Sequence, residues 1–179
     1  MKKFTVLLSL AVLGACSSDE KASSGASDAK TITFNDFESV AGWNVDPAML
    51  DRGRAHSGRY AIKVDKDREF SLTFDMALGQ ATPTKIKTVH LEAYAFLPND
   101  KATGMLGVQV MDDTNSKQVF GDGIRLGEVV KSYGKWVPVS KDITLPDNIT
   151  AAQHLRLSLW RADASDYVLI DDVKLSIKE

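Results

Sequence analysis

The side chain with the most chemical potential lies near the C-terminal end. Strict alternation over Tyr167 to Ile177 predicts a strand with Tyr167, Leu169, Asp171, Val173, Leu175 and Ile177 on one face. That face is the more apolar of the two, and it still carries an acid. A carboxylate turned toward a core is costly unless it ligates a cation or accepts several hydrogen bonds. Asp171 therefore points either to a hard cation such as calcium or to a bulge or sheet end where it takes backbone N–H groups.

Catalytic chemistry is poorly represented. His56, His90 and His154 are far apart in sequence, with no H-E-x-x-H pair and no G-x-S-x-G elbow. The E-x-D-x-x-E run of retaining jelly-roll glycosidases is missing, and no G-K-[ST] follows Gly104, Gly107 or Gly121-Asp122-Gly123. The expectation is a protein that is not an enzyme. Two carboxylates assembled from distant positions are the one remaining route to glycoside hydrolysis.

The elements that must position these residues are short strands. Alternation predicts Ile32 to Phe37, Tyr60 to Val64, Glu69 to Met76, Lys85 to Leu97, Gly104 to Met111, Gln118 to Leu126, Lys135 to Ile143, His154 to Arg161 and Tyr167 to Ile177. Turn residues separate them, among them Ser57-Gly58, Pro98-Asn99-Asp100, Asp112 to Asn115 and Pro146-Asp147-Asn148. Nine strands with no helical stripe predict an all-β sandwich in one domain, residues 31–179.

Ahead of that domain, residues 1–15 read as a secretory leader: Lys2 and Lys3, an apolar run from Phe4 to Leu13, then Gly14-Ala15. Leu13-Gly14-Ala15-Cys16 looks like a bacterial lipobox, which predicts lipidation of Cys16, the only cysteine, and a membrane anchor through it. Residues 17–30 are small and polar and predict a flexible tether. Ser17 after the cysteine favours the outer membrane over inner-membrane retention, and Asp19-Glu20 is similar to surface-export signals. The net charge of −2 falls to −4 once Lys2 and Lys3 are removed, which argues against nucleic acid as a partner.

Four stretches carry a family resemblance: Asn35-Asp36-Phe37-Glu38 with Gly42-Trp43; Ala55-His56-Ser57-Gly58-Arg59-Tyr60-Ala61-Ile62; Gly134-Lys135-Trp136-Val137; and Leu169-Ile170-Asp171-Asp172-Val173. Together they resemble the jelly-roll carbohydrate-binding modules of the CenC type, in the galactose-binding-like superfold. The resemblance implies a structural calcium joining the first and last strands. Its ligands would be Glu38, backbone oxygens near Ser57 and its neighbours, and Asp171, with Asp36 and Asp172 as substitutes. It also makes Trp43 and Trp136 framework residues of the core.

A binding face would lie on outward positions of central strands. Leu91, Ala93, Ala95 and Leu97 face in, as do Leu106, Val108, Val110, Leu155, Leu157 and Leu159; Met111 is expected outside. The outward set is Glu92, Tyr94, Gln109, Arg156 and Trp160. Aromatic rings there would stack on the C–H faces of sugars while Glu, Gln and Arg bond the hydroxyls. The expected function is glycan binding, to a polysaccharide or oligosaccharide, by a lipid-anchored domain. A β-sandwich that adheres to a protein partner and a small glycan-active enzyme are the alternatives.

Overall fold

The computed structural model describes residues 31–42 and 45–178. The leader, the lipobox with Cys16, the tether and Trp43 lie outside the described residues. Ten strands form two antiparallel sheets: β1 (Thr31–Asn35), β2 (Leu50–Asp51), β3 (Ala61–Val64), β4 (Phe74–Ala77), β5 (Thr88–Phe96), β6 (Met105–Met111), β7 (Gln118–Arg125), β8 (Trp136–Thr144), β9 (His154–Trp160) and β10 (Val168–Lys178). One sheet runs β2-β3-β10-β5-β8 with β1 beside β10, and the other runs β4-β9-β6-β7. The sandwich expected from the alternation, of the jelly-roll type the resemblance implied, is what the chain forms. The strand not foreseen is β2, whose two residues are too few to show a period. Two single helical turns, α1 (Leu78–Ala81) and α2 (Leu126–Val129), cap strand ends.

Alternation sets which face each strand buries, because successive side chains leave a strand on opposite sides. Val89, Leu91, Ala93 and Ala95 of β5 meet Leu106, Val108 and Val110 of β6 and Leu155, Leu157 and Leu159 of β9 in one core. Met111 departs from the expectation and is buried as well. Across the open edge between the sheets, Lys141 of β8 donates to Asp122 of β7 at 2.6 Å.

Strand β10 is not regular. Asp171 lies opposite Tyr94 and Lys174 opposite Glu92, so β10 spends three residue steps where β5 spends two. Asp172 supplies the extra residue with φ 49°, a left-handed conformation that Asp tolerates better than most residues, and the result is a bulge. Val168 and Ile170 face the core before it, and Val173 and Leu175 after it. The single face predicted for Leu169, Asp171, Val173 and Leu175 is therefore split. Leu169 joins Ala61 and Phe96 in a second apolar cluster on the outside of the larger sheet, where Trp136 and Tyr167 pack half-buried. Trp136 thus belongs to this outer cluster and not to the core between the sheets.

Candidate functional site

Asp171 is 0 % exposed although it points away from the core. The turn 56–60 lies over it. One carboxylate oxygen accepts the backbone N–H of His56 at 2.7 Å and of Ser57 at 3.1 Å, and the other accepts that of Asp172 at 2.8 Å. Asp172 takes the Ser57 hydroxyl at 2.6 Å and faces His56 Nδ1 at 2.5 Å. From the other end of the turn, Glu38 accepts the N–H groups of Arg59 and Tyr60 at 2.6 and 2.7 Å. Gly58 turns the corner at φ 60°, and a Cβ there would lie 2.5 Å from the Glu38 carboxyl carbon. Glu38 and Asp171 thus converge on one turn, as the resemblance implied, but through N–H donors.

This donor set does not fit a calcium cage. Both oxygens of Asp171 and of Asp172 have donors aimed at them, and Asp36 caps the Glu38 N–H at 3.2 Å. The second Glu38 oxygen faces the Arg59 guanidinium at 3.5 Å. Among the described residues no three His, Cys, Asp or Glu groups come together as metal ligands.

The five outward residues divide between two opposite surfaces. Glu92 and Tyr94 are on the larger sheet. Glu92 pairs with Lys174 at 3.4 Å, and one face of Tyr94 is covered by the His56 ring, centroids 3.4 Å apart and planes 11° from parallel. A sugar could not stack on that covered face. Gln109, Arg156 and Trp160 are on the outer face of the smaller sheet, together with residues the sequence reading passed over.

That second surface is built row by row. Register places Trp160, Met105 and Arg125 side by side, then Ser158, Gly107 and Gly123, then Arg156, Gln109 and Gly121. The middle row has almost no side chain, so it forms a trough across three strands, a concavity of about 340 Å³. A Cβ added at Gly107 would meet only the Ser158 carbonyl, at 3.8 Å, whereas one at Gly123 would lie 2.3 Å from the Leu106 oxygen. Gly123 is required for strand packing; Gly107 leaves space that packing does not demand. On one bank Trp160 is 36 % exposed and Phe70 50 %, their planes 12° apart and centroids 6.2 Å apart. Rings so offset leave much of each face uncovered. Glu69 accepts the Trp160 indole N–H at 3.1 Å and fixes its orientation. On the other bank Gln109 donates to Gln118 at 2.6 Å.

Arg156 is held beside that bank by Asp75, which accepts its Nε at 2.5 Å, the Asn115 amide at 3.0 Å and faces His154 Nδ1 at 2.7 Å. Burial pushes the Asp75 carboxyl up, but Arg156, Asn115 and His154 together outweigh it and bring it down to about 2. A folded-state value below the unfolded one means that the stabilisation is complete above the ordinary value of 3.8 and disappears as pH falls through about 2. Carboxyl ¹³C titration is expected to show Asp75 ionising near 2, and in Arg156→Ala to show it moved back toward the ordinary range.

The outward period of β6 marks Gly107 as a partner of Gln109, and that signal was available in the sequence. Phe70 left none, because it meets Trp160 through an isolated bridge outside the strand proper.

Protein-family models yield no match to this chain, and neither do curated proteins. Solved structures do. The fold is similar to the CBM22-1–CBM22-2 tandem of Paenibacillus barcinonensis Xyn10C (TM-score 0.54, 15 % identity, 83 % of this chain and 50 % of that one). It is also similar to the C-terminal family 22 carbohydrate-binding module of Clostridium thermocellum Xyn10B (0.54, 13 %, 84 % and 94 %), and to the CBM22-2 xylan-binding domain of P. barcinonensis Xyn10C (0.52, 14 %, 82 % and 99 %). This chain spans half the length of the tandem and nearly all of each single module. At these identities the likeness establishes the fold, a jelly-roll β-sandwich, and not the ligand.

Proposed function

We propose that this domain binds a polysaccharide chain along the trough on the outer face of the smaller sheet, without catalysis. The observation that carries this reading is the row of Gly107, Gly123 and Ser158, almost without side chains, between an aromatic bank and an amide bank. A pyranose ring has an apolar C–H face and an equatorial fringe of hydroxyls. Trp160 and Phe70 offer flat apolar surface for the first, and Gln109, Gln118, Ser158 and Arg156 offer donors and acceptors for the second. Several similar structures are described as xylan-binding, so xylan is the first ligand to test. The acid that lines the trough, Asp122, is paired with Lys141, and Asp75 and Glu69 beyond its banks serve as acceptors that orient Arg156 and Trp160.

In the same reading, lipidation of Cys16 and the tether of residues 17–30 hold the domain at the outer membrane, where its ligand is presented. Labelled palmitate should be incorporated into the wild type and not into Cys16→Ala.

Titration of the folded domain with xylo-oligosaccharides, followed by amide chemical shifts, tests the site. The expected shifts fall on Gly107, Gln109, Ser158 and Trp160. Shifts confined to Glu92 and Tyr94, or none with xylan, galactan or glucan chains, would remove the trough as the binding surface. A protein-adhesion role would then take precedence.

A further inference from the structure

Between the two sheets, where edge strand β1 faces the segment leading into β4, the interior is not filled. Among the described residues β1 pairs only with β10 and β4 only with β9, so no strand pairing joins these two edges. A cavity of about 220 Å³ lies behind them. Leu106, Leu159, Ile170 and Val173 line its depth and are all buried. Close-packed interiors rarely leave such a space, since lining atoms without neighbours forfeit their dispersion contacts. Engineered apolar cavities of about 150 Å³ stay dry and take up benzene.

The lining also defines the ligand. None of the residues around the cavity carries a charge, so an ionised head group would be left uncompensated on entry. The polar residues of the lining are Thr33, Asn35, Ser71, Thr73 and Ser158. Asn35 already accepts the Phe37 N–H at 2.7 Å, and the Ser71 hydroxyl is engaged with Leu72 and Leu159 at 3.1 and 3.0 Å. The Thr33 and Thr73 hydroxyls have no partner among the described residues; Thr33 is half-buried and Thr73 exposed.

We propose that this cavity binds a neutral, mainly apolar small molecule bearing one hydroxyl or carbonyl group, its tail between the sheets and its head at Thr33 and Thr73. The site lies between the sheets, on the other side of the smaller sheet from the trough, shares only Ser158 with it and does not depend on glycan binding. The probe is 1-hexanol, titrated into the folded domain with methyl-labelled Leu, Ile and Val. Saturable shifts are expected at Leu106, Leu159, Ile170 and Val173, with a melting temperature that rises with hexanol concentration. Hexanoate at neutral pH is expected to bind at least tenfold more weakly. Val173→Phe, which fills the cavity, and Thr73→Trp, at its exposed mouth, are each expected to weaken hexanol binding tenfold or more while xylan titrations are unchanged. Should Val173→Phe fail to fold, Thr73→Trp decides. Non-saturable or scattered shifts, equal binding of hexanoate, or wild-type affinity in Thr73→Trp would overturn the proposal.

Discussion

Replacing Gly107 with leucine is expected to eliminate glycan binding while leaving the melting temperature within about 3 °C of wild type. The new side chain would rise from the floor of the trough into open space, since a Cβ there touches only the Ser158 carbonyl at van der Waals distance. It would occupy the volume a sugar ring needs between Trp160 and Gln109. A loss on the order of 100-fold or more in affinity follows if the trough is the site, because obstruction at the centre of an interface removes most contacts at once. Trp160→Ala should weaken binding by about 2 kcal/mol, roughly 30-fold, as a stacking platform does when truncated. The same substitution at Tyr94 should matter little. One face of its ring is already covered by His56, and it lies on the opposite sheet. Calorimetric titration with xylohexaose reads all three, and full affinity in Gly107→Leu would place the ligand elsewhere.

The second large effect is on stability. Asp171→Ala removes the acceptor for three backbone N–H groups in a site without water access, and should cost about 3 to 5 kcal/mol by chemical denaturation. Asp171→Asn keeps one acceptor oxygen and should cost about half as much. Burial, reinforced by the charge of Asp172, raises the Asp171 carboxyl above its ordinary value despite the N–H groups of Ser57, Asp172 and His56. The sign is opposite to that at Asp75. Asp171 contributes its full stability below about 3.8 and loses part of it as pH rises through the raised folded-state value, and Asp171→Asn should lack that component. Glu38 moves the other way: the Arg59 N–H, with that of Tyr60 and the Arg59 guanidinium, holds it below the usual range. Because the turn is clasped by donors, chelator should leave the wild-type melting curve unchanged. A fall of several degrees in chelator, restored by calcium, would show that these acids rearrange around an ion.

Much of this fold was legible because antiparallel sandwiches bury one side of each strand, so Leu91, Val108 and Leu157 announce the core by parity alone. What parity cannot reveal is sheet membership. Tyr94 and Trp160 both read as outward, yet β5 pairs with β10 and β9 with β6, so they emerge on opposite sides of the molecule. The bulge was hidden for a related reason. Nothing local distinguishes Asp171-Asp172 in a regular strand from Asp171-Asp172 with one residue in the left-handed region, and only the pairing with Tyr94 and Glu92 separates them. The acid first taken to face the core is therefore sealed by a turn that approaches from outside. Glu38 was found from the family resemblance, and what its oxygens hold became visible only with the turn in place.

The extra residue in β10 makes the length of the last strand a matter of odd and even. Upstream of it the interior receives Val168 and Ile170, and downstream Val173 and Leu175. Inserting one residue after Asp172 would shift the downstream half by one step, sending Lys174 and Ser176 inward and both apolar partners outward, whereas deleting Asp172 would restore a regular alternation that keeps Val173 and Leu175 inside. Many single substitutions along this strand cost one contact each, but a one-codon insertion would invert half of the sheet's central member.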